Sequence, residues 1–167
     1  QCIRRQGPLS PAEGLPIARQ MIAALAAAHA AGVIHRDFKS ENVFLVPGAN
    51  GIRVVVTDFG VARGIEYDQF AAQVTIADAA VGTPAYMAPE QVRSQRLDKR
   101  SDVFSTGVIL YELTTGRRLF SGSEIDVMTS IVERDVTPPS VWVPGFPAEL
   151  ERILLTALAR DRARRFP

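Results

Sequence analysis

Apolar residues recur with helical spacing over about residues 12–31, where Ile17, Met21 and Leu25 stand four residues apart along the chain. Gly32 follows this stretch and suits the left-handed residue that commonly ends a helix. Three further stretches have a comparable pattern and predict helices over residues 101–115, 124–134 and 148–159. Most of the chain is therefore expected to be α-helical.

Two short apolar runs, residues 43–46 and 52–57, are separated by Pro47-Gly48-Ala49-Asn50-Gly51. Because nearly every position between the runs favours a turn, they are predicted to pair as a β-hairpin. Residues 61–88 have weak periodicity and are predicted to form a long functional loop. Several prolines between residues 138 and 147 mark a second, more rigid loop. The predicted fold class is thus mainly α with one small hairpin.

Composition places the chain among globular domains and excludes several other classes. Its 167 residues are 47% hydrophobic and 22% charged, enough for one domain with its own core. A formal net charge of +1 gives no reason to expect nucleic acid as a partner. Cys2 is the only cysteine, so no internal disulfide is possible, and no apolar stretch is long enough to span a bilayer. We therefore expect a cytoplasmic location for this segment, whatever tethers lie outside it.

Candidate catalytic residues are concentrated around the predicted hairpin. The motif His35-Arg36-Asp37-Phe38-Lys39-Ser40-Glu41-Asn42 precedes its first strand, and Asp58-Phe59-Gly60 follows its second. Because antiparallel pairing returns both ends of a hairpin to one place, the amide oxygen of Asn42 and the carboxylate of Asp58 are predicted to lie close together. Hard oxygen ligands of this kind suit a Mg²⁺ ion that shares its coordination with substrate phosphates.

Asp37 and Lys39 lie on the loop at the same end of the hairpin. The carboxylate of Asp37 can face a substrate hydroxyl, and the ammonium of Lys39 can supply positive charge to a phosphoryl group in transfer. Each residue alone has a plainer explanation, since an isolated Asp after a strand is usually a turn or helix cap. The complete spacing is far more specific than any single position, and it predicts magnesium-assisted phosphoryl transfer.

These motifs resemble the catalytic core of the eukaryotic-like protein kinases, in particular the bacterial serine/threonine kinases. The resemblance spans residues 1–167 and extends to three further segments: Gly82 to Glu90, Ser101 to Gly107 and Asp161 to Phe166. It implies the C-terminal lobe of a kinase domain, a helical unit whose small β-hairpin carries the catalytic and metal-binding loops. The 34 residues before His35 contain no glycine-rich phosphate loop. The N-terminal lobe is therefore expected as a missing partner, and the final helix as incomplete.

The resemblance also implies a role for each residue of the motif. Asp37 would be the catalytic base that orients the acceptor hydroxyl, and Asn42 and Asp58 would hold Mg²⁺. Lys39 would join them in contacting ATP. Lys39 and Thr83 resemble the serine/threonine branch, with Thr83 lining the site for the residue after the phosphoacceptor. The expected activity is phosphoryl transfer from Mg-ATP to a Ser or Thr hydroxyl of a protein substrate.

Four residues are expected from the resemblance to be structural. His35 would pack the catalytic loop against Phe59, and Asp102 would anchor the backbone of that loop from below. Glu90 and Arg165 would form a buried ion pair that ties the activation segment to the late helices.

Three residues are expected to be regulatory: Arg36, Thr75 and Thr83. Arg36 directly precedes Asp37, an arrangement that in this family often accompanies control by activation-loop phosphorylation. Thr75 is the only Ser or Thr between Asp58 and Gly82, which makes it the candidate phosphorylation site. The alternative is an ordinary solvated loop threonine.

Three other functions compete with an active protein kinase. A pseudokinase or scaffold module would commonly have lost one of Asp37, Lys39, Asn42 or Asp58, all of which are present. A small-molecule phosphotransferase would not need residues 82–90, which in protein kinases shape a peptide-binding surface. An inactive fragment would follow from the missing lobe, because the ATP site lies between the two lobes. The chain alone is thus expected to bind ATP poorly.

Overall fold

A computed structural model describes residues 8–48, 51–59 and 84–167. The helices and strands follow in the order α1 (Pro11–Ala30), β1 (Val43–Gly48), β2 (Gly51–Val56), α2 (Pro89–Val92), α3 (Lys99–Thr115), α4 (Glu124–Glu133) and α5 (Ala148–Ala157). Short 3₁₀ turns lie at Ser40–Asn42, Pro84–Tyr86, Pro139–Val141 and Arg162–Arg164. The described part is therefore mainly helical with one antiparallel two-stranded sheet, as the sequence predicts.

Helix α1 begins and ends as its sequence dictates. The Ser10 hydroxyl accepts a hydrogen bond from the backbone amide of Glu13, whose carboxylate accepts one from the Ser10 amide at 3.0 Å. This capping box satisfies amides that the first turn leaves unpaired. Gly32 has a φ of 76° and stops the helix in the left-handed region. The predicted apolar face is buried in the core and consists of Ile17, Met21 and Leu25.

Helix α3 forms the centre of the domain. Thirteen of its 17 residues are buried, as expected of a helix packed on all sides. Gly107 allows one of these contacts, since a Cβ atom there would stand 3.0 Å from the Leu158 Cγ. The helix starts two residues earlier than predicted because Asp98 caps it.

The side chain of Gln20 joins the hairpin to α1 by two hydrogen bonds. Gln20 donates to the carbonyl of Ile52 at 3.0 Å and accepts from the amide of Val54 at 3.0 Å. The strands pair in a register that sets Val43 opposite Val56, so both ends of the hairpin meet beside the 3₁₀ turn that precedes β1.

The segment predicted as a long loop is partly ordered in its described portion. Residues 84–86 form a buried 3₁₀ turn, because the Ser105 hydroxyl of α3 donates to the carbonyl of Tyr86 at 2.8 Å. Residues 61–83 lie outside the described part of the chain. The proline-rich loop likewise contains a 3₁₀ turn, Pro139–Val141.

A pH-dependent contribution to stability is expected from the start of α3. Asp98 accepts hydrogen bonds from the amide and the guanidinium of Arg100, which lower the pKa of Asp98 from 3.8 to about 2. Because the pKa falls on folding, the stabilisation is fully present above about pH 4 and is lost as the pH falls towards 2.

Asp98→Asn tests this contribution, since asparagine still caps a helix but carries no charge. We expect the variant to be about 0.5–1 kcal/mol less stable at pH 7, and the difference to disappear as the pH falls through about 2. Thermal unfolding measured across this pH range would show the convergence. A difference that stays constant with pH would contradict the role of the charge.

Candidate active site

Asp102 anchors the backbone of the loop that precedes the hairpin. The carboxylate, 1% exposed, accepts hydrogen bonds from the amides of His35 at 2.8 Å and Arg36 at 2.9 Å. The Nε2 atom of His29 lies 2.7 Å from the same carboxylate. One buried side chain of α3 therefore fixes two consecutive residues of the loop and the end of α1.

His35 connects this loop to the residues that follow β2. Its ring is fully buried, 4.7 Å from the ring of Phe59 between centroids, and its Nε2 lies 2.9 Å from the carbonyl oxygen of Thr57. The ring of Phe38 packs against it at 5.2 Å. These contacts set the loop beside Asp58.

Two residues of the site have left-handed backbones although neither is glycine. The φ of Arg36 is 67° and that of Asp58 is 60°. Such conformations are sterically unfavourable for residues with a Cβ atom and persist where the surrounding structure imposes them. At Arg36, the amide is held by Asp102, as described above.

Gln91 holds the other side of the same residue, and sequence reasoning missed it. Its Nε2 donates to the carbonyl of Arg36 at 2.6 Å, while its Oε1 accepts from the amide of Ala88 at 2.9 Å. The side chain thus joins the start of α2 to the residue immediately before Asp37. A glutamine in a helix carries no sequence signal, so only the tertiary contact identifies it.

Asp37 and Lys39 contact each other directly. The Lys39 ammonium donates to the Asp37 carboxylate at 2.7 Å, and the Asp37 side chain is 63% exposed. An ion pair this exposed adds little to stability. The carboxylate is therefore open to solvent with a cation at its side, an arrangement suited to receiving a polar substrate.

Asn42 lies at the junction of the loop and the hairpin. Its side-chain nitrogen donates to the carbonyl of Asp37 at 2.9 Å, and its backbone carbonyl accepts from the amide of Thr57 at 3.0 Å. Because the nitrogen is committed, the amide oxygen is the atom left for a cation. Asp58 directly follows Thr57 and accepts a hydrogen bond from its hydroxyl at 3.0 Å.

The donor atoms at this end of the hairpin are the amide oxygen of Asn42 and the carboxylate of Asp58. Within residues 8–48, 51–59 and 84–167, no three His, Cys, Asp or Glu side chains form a group that could hold a metal. One amide oxygen and one carboxylate cannot enclose an ion by themselves. They do fit Mg²⁺, which keeps waters and takes further ligands from phosphates.

A second feature missed from the sequence links the loop to the core. The Tyr86 hydroxyl donates to the Glu112 carboxylate at 2.9 Å and lies 2.8 Å from the Ser40 hydroxyl. Burial raises the pKa of both Tyr86 and Glu112. The hydrogen bonds join the loop before the hairpin, the 3₁₀ turn Pro84–Tyr86 and α3.

Glu90 and Arg165 form a bidentate ion pair with distances of 2.7 and 2.9 Å. Both side chains are at most 3% exposed. Burial alone would raise the pKa of the Glu90 carboxyl, but the hydrogen bonds and charge of Arg165 hold it below its usual value. The Ser101 hydroxyl also donates a hydrogen bond to the Glu90 carboxylate at 2.8 Å. The pair connects α2 to the end of the described chain.

The remaining predicted site residues cannot be placed. Gly60, Thr75 and Thr83 lie outside the described residues. Their expected roles stay predictions.

The chain is similar to known proteins over nearly its whole length. Residues 1–166 match the protein kinase domain family. The chain therefore belongs to the protein kinase family, and the relatives that it matches are named serine/threonine-protein kinases. It is 37% identical over 162 residues to the serine/threonine-protein kinase PknL of Mycobacterium tuberculosis, covering 96% of this chain. It is 39% identical to both the probable serine/threonine-protein kinase PknB of Bifidobacterium longum and the serine/threonine-protein kinase pkn3 of Myxococcus xanthus, covering 98% and 99% of this chain.

The match covers a smaller part of these relatives. It spans 39% of the length of PknL, 31% of pkn3 and 23% of the Bifidobacterium protein. In the described part of this chain, no helix has the length and apolar character needed to cross a membrane.

Proposed function

We propose that residues 1–167 form the C-terminal lobe of a serine/threonine kinase domain that transfers the γ-phosphoryl group of ATP to a protein hydroxyl. The observation that supports this most directly is the geometry of the loop before the hairpin. There the Asp37 carboxylate accepts a hydrogen bond from Lys39 at 2.7 Å, and the Asp37 carbonyl accepts one from Asn42. Antiparallel pairing of the strands brings Asp58 to the same end of the hairpin.

In the proposed reaction each group of the chain has a distinct task. Asp37 orients the acceptor hydroxyl and takes its proton, the new bond forms between that oxygen and the γ-phosphorus, and ADP departs with the electrons of the broken bond. Lys39 stabilises the negative charge of the moving group. Asn42 and Asp58 would hold Mg²⁺, which when bound neutralises charge on the phosphates.

The proposal includes an N-terminal lobe that covers the hairpin and α1. Large apolar side chains are exposed on both elements: Leu15, Ile22, Phe44 and Ile52 are between 49% and 57% accessible. Under this proposal the second lobe would cover apolar side chains of these two elements that the described part of the chain leaves exposed. The nucleotide would then lie between the lobes, with its phosphates above Asn42 and Asp58.

A reconstitution experiment tests the proposal. The purified 167-residue chain and the complete two-lobe domain would each be incubated with labelled ATP and a Ser/Thr substrate protein. We expect transfer by the complete domain and little or none by the chain alone. Robust activity of the isolated chain would refute the need for a second lobe, and an inactive complete domain would refute the kinase reaction.

Gln91→Leu is expected to impair the reaction without unfolding the domain. Loss of the hydrogen bond to Arg36 loosens the residue before Asp37, so we expect kcat to fall roughly tenfold with little change in the KM for ATP. Steady-state kinetics of the complete domain would measure both constants. Gln95→Leu is the matched control on an exposed position, and equal kcat values for the two variants would exclude a positioning role.

A further inference from the structure

A cavity of about 350 Å³ lies outside the candidate active site, between α2, the end of α4 and the segment after α5. Arg93, Arg160 and Arg162 line it together with two acidic residues, Glu90 and Asp161. None of the residues that the proposed reaction uses takes part. Arg160 and Arg162 come from one segment, and folding brings the distant Arg93 beside them.

The three guanidinium groups are held in place by the backbone. Each donates to a main-chain carbonyl: Arg93 to Val132 at 3.3 Å, Arg160 to Glu133, and Arg162 to Arg96 at 2.6 Å. An arginine has five N–H donors, so one such bond leaves most of them available. The cavity therefore presents oriented donors, which lose less conformational freedom on binding an anion.

The acidic residues of the cavity are already engaged. Glu90 is neutralised by the bidentate contact with Arg165, and Asp161 caps the turn that follows it by accepting from the amide of Ala163 at 2.9 Å. In the described part of the chain no carboxylate lies within 4 Å of the Arg93 guanidinium. Arg160 has Asp135 as its partner and Arg162 lies 3.9 Å from Asp98, so the positive charge without a carboxylate partner is centred on Arg93.

The surroundings of the cavity are basic as well. Residues 93–100 and 160–165 together contain eight Lys and Arg residues and two Asp residues, whereas the whole chain has a net charge of only +1. The two segments contact each other, because Arg162 lies 3.9 Å from Asp98. A local excess of this size attracts anions and accelerates their association.

We propose that this arginine pocket binds a phosphorylated Ser or Thr side chain of a protein. A phosphate monoester carries nearly two negative charges and three acceptor oxygens, which match paired guanidinium donors. The pocket is concave and at the lower end of the volumes found for ligand sites, which suits one protruding side chain. A lipid surface would instead favour a flat basic face. Binding here does not depend on catalysis, although a kinase would itself generate such ligands.

A peptide titration of the 167-residue chain tests the proposal. The probes are a fluorescent phosphothreonine peptide, the same peptide without phosphate and a version with glutamate at that position. We expect the phosphopeptide to bind with a much higher affinity than the other two peptides. We also expect Arg93→Gln to weaken it about tenfold, because a charged hydrogen-bond partner is lost. Arg93 is chosen because a single 3.3 Å bond ties it to the fold.

Control variants separate pocket binding from general charge attraction. Arg19→Gln removes the same charge from an exposed position of α1 and is expected to leave phosphopeptide binding unchanged. The proposal would be overturned if Arg93→Gln and Arg19→Gln lowered the affinity for the phosphopeptide equally, or if all three peptides bound with equal affinity. Phosphatidylserine vesicles that bind through Arg93 while the phosphopeptide does not would assign the pocket to membranes and also overturn it. If Arg93→Gln lowers the melting temperature, the same comparison is made with Arg162→Gln.

Discussion

Asp37→Asn in the complete kinase domain is expected to lower kcat for protein phosphorylation by roughly 10²–10⁴-fold, the usual contribution of a positioned general base. The amide has the size of the carboxylate but cannot take the hydroxyl proton. Because Asp37 is 63% exposed and its contact with Lys39 contributes little to folding, the melting temperature should stay within about a degree of the wild type. The effect would therefore be confined to catalysis.

Radiolabel transfer from ATP, measured beside a thermal melt, distinguishes this result from simple unfolding. Glu124→Gln is a suitable control, since it removes an exposed carboxylate at the start of α4 and should leave kcat unchanged. Equal kcat values for the wild type and Asp37→Asn would exclude Asp37 as the base.

Arg165→Ala is expected to destabilise the fold by about 3–5 kcal/mol, the usual cost of leaving one charge of a buried pair without its partner. Glu90 would keep the hydrogen bond from Ser101 but would have lost its charged partner. The variant would also lose the contact of the guanidinium with the ring of Phe104, which lies 4.9 Å away between centres. Arg165→Lys should recover only part of this stability, because an ammonium cannot reproduce the paired bonds.

Urea unfolding of the 167-residue chain at neutral pH measures the loss. Arg152→Ala is the matched control: Arg152 pairs with Glu149 on the surface, both side chains are more than 60% exposed, and its loss should cost less than about 1 kcal/mol. Folding lowers the pKa of Glu90. The stabilisation of the fold by the ion pair is therefore complete at neutral pH and declines as the pH falls below about 4.5. Equal stabilities of Arg165→Ala and Arg152→Ala would contradict the assigned role of the buried pair.

The helices and the hairpin could be predicted from the sequence because their signals are local. The spacing of Ile17, Met21 and Leu25 predicts a buried helix face. Residues 47–51 favour a turn at nearly every position, so they predict that the chain reverses direction there. Pairing of the two strands then places Asn42 near Asp58 as a geometric necessity. The boundaries were off by one to two residues, chiefly because caps such as Asp98 lie outside the apolar pattern.

Other parts of the site could not be read from local patterns. Gln91 meets Arg36 across 55 positions of sequence, and Tyr86 meets Glu112 across 26. A polar side chain that satisfies a distant backbone group leaves no periodic trace. Glu90 and Arg165 are 75 positions apart, and only the resemblance to a family pointed to their pairing.

The anchoring of the catalytic loop by Asp102 has a consequence for where harmful substitutions should occur. Asp37 belongs to no helix or strand, and two of the hydrogen bonds that fix the residues before it run to Asp102 of α3, where 13 of 17 residues are buried. A slight rotation of α3 would therefore move the Asp102 carboxylate, and with it the backbone of His35 and Arg36 that leads to Asp37. Substitutions that repack the interior far from any substrate should consequently appear in enzyme assays before they appear in measurements of folding.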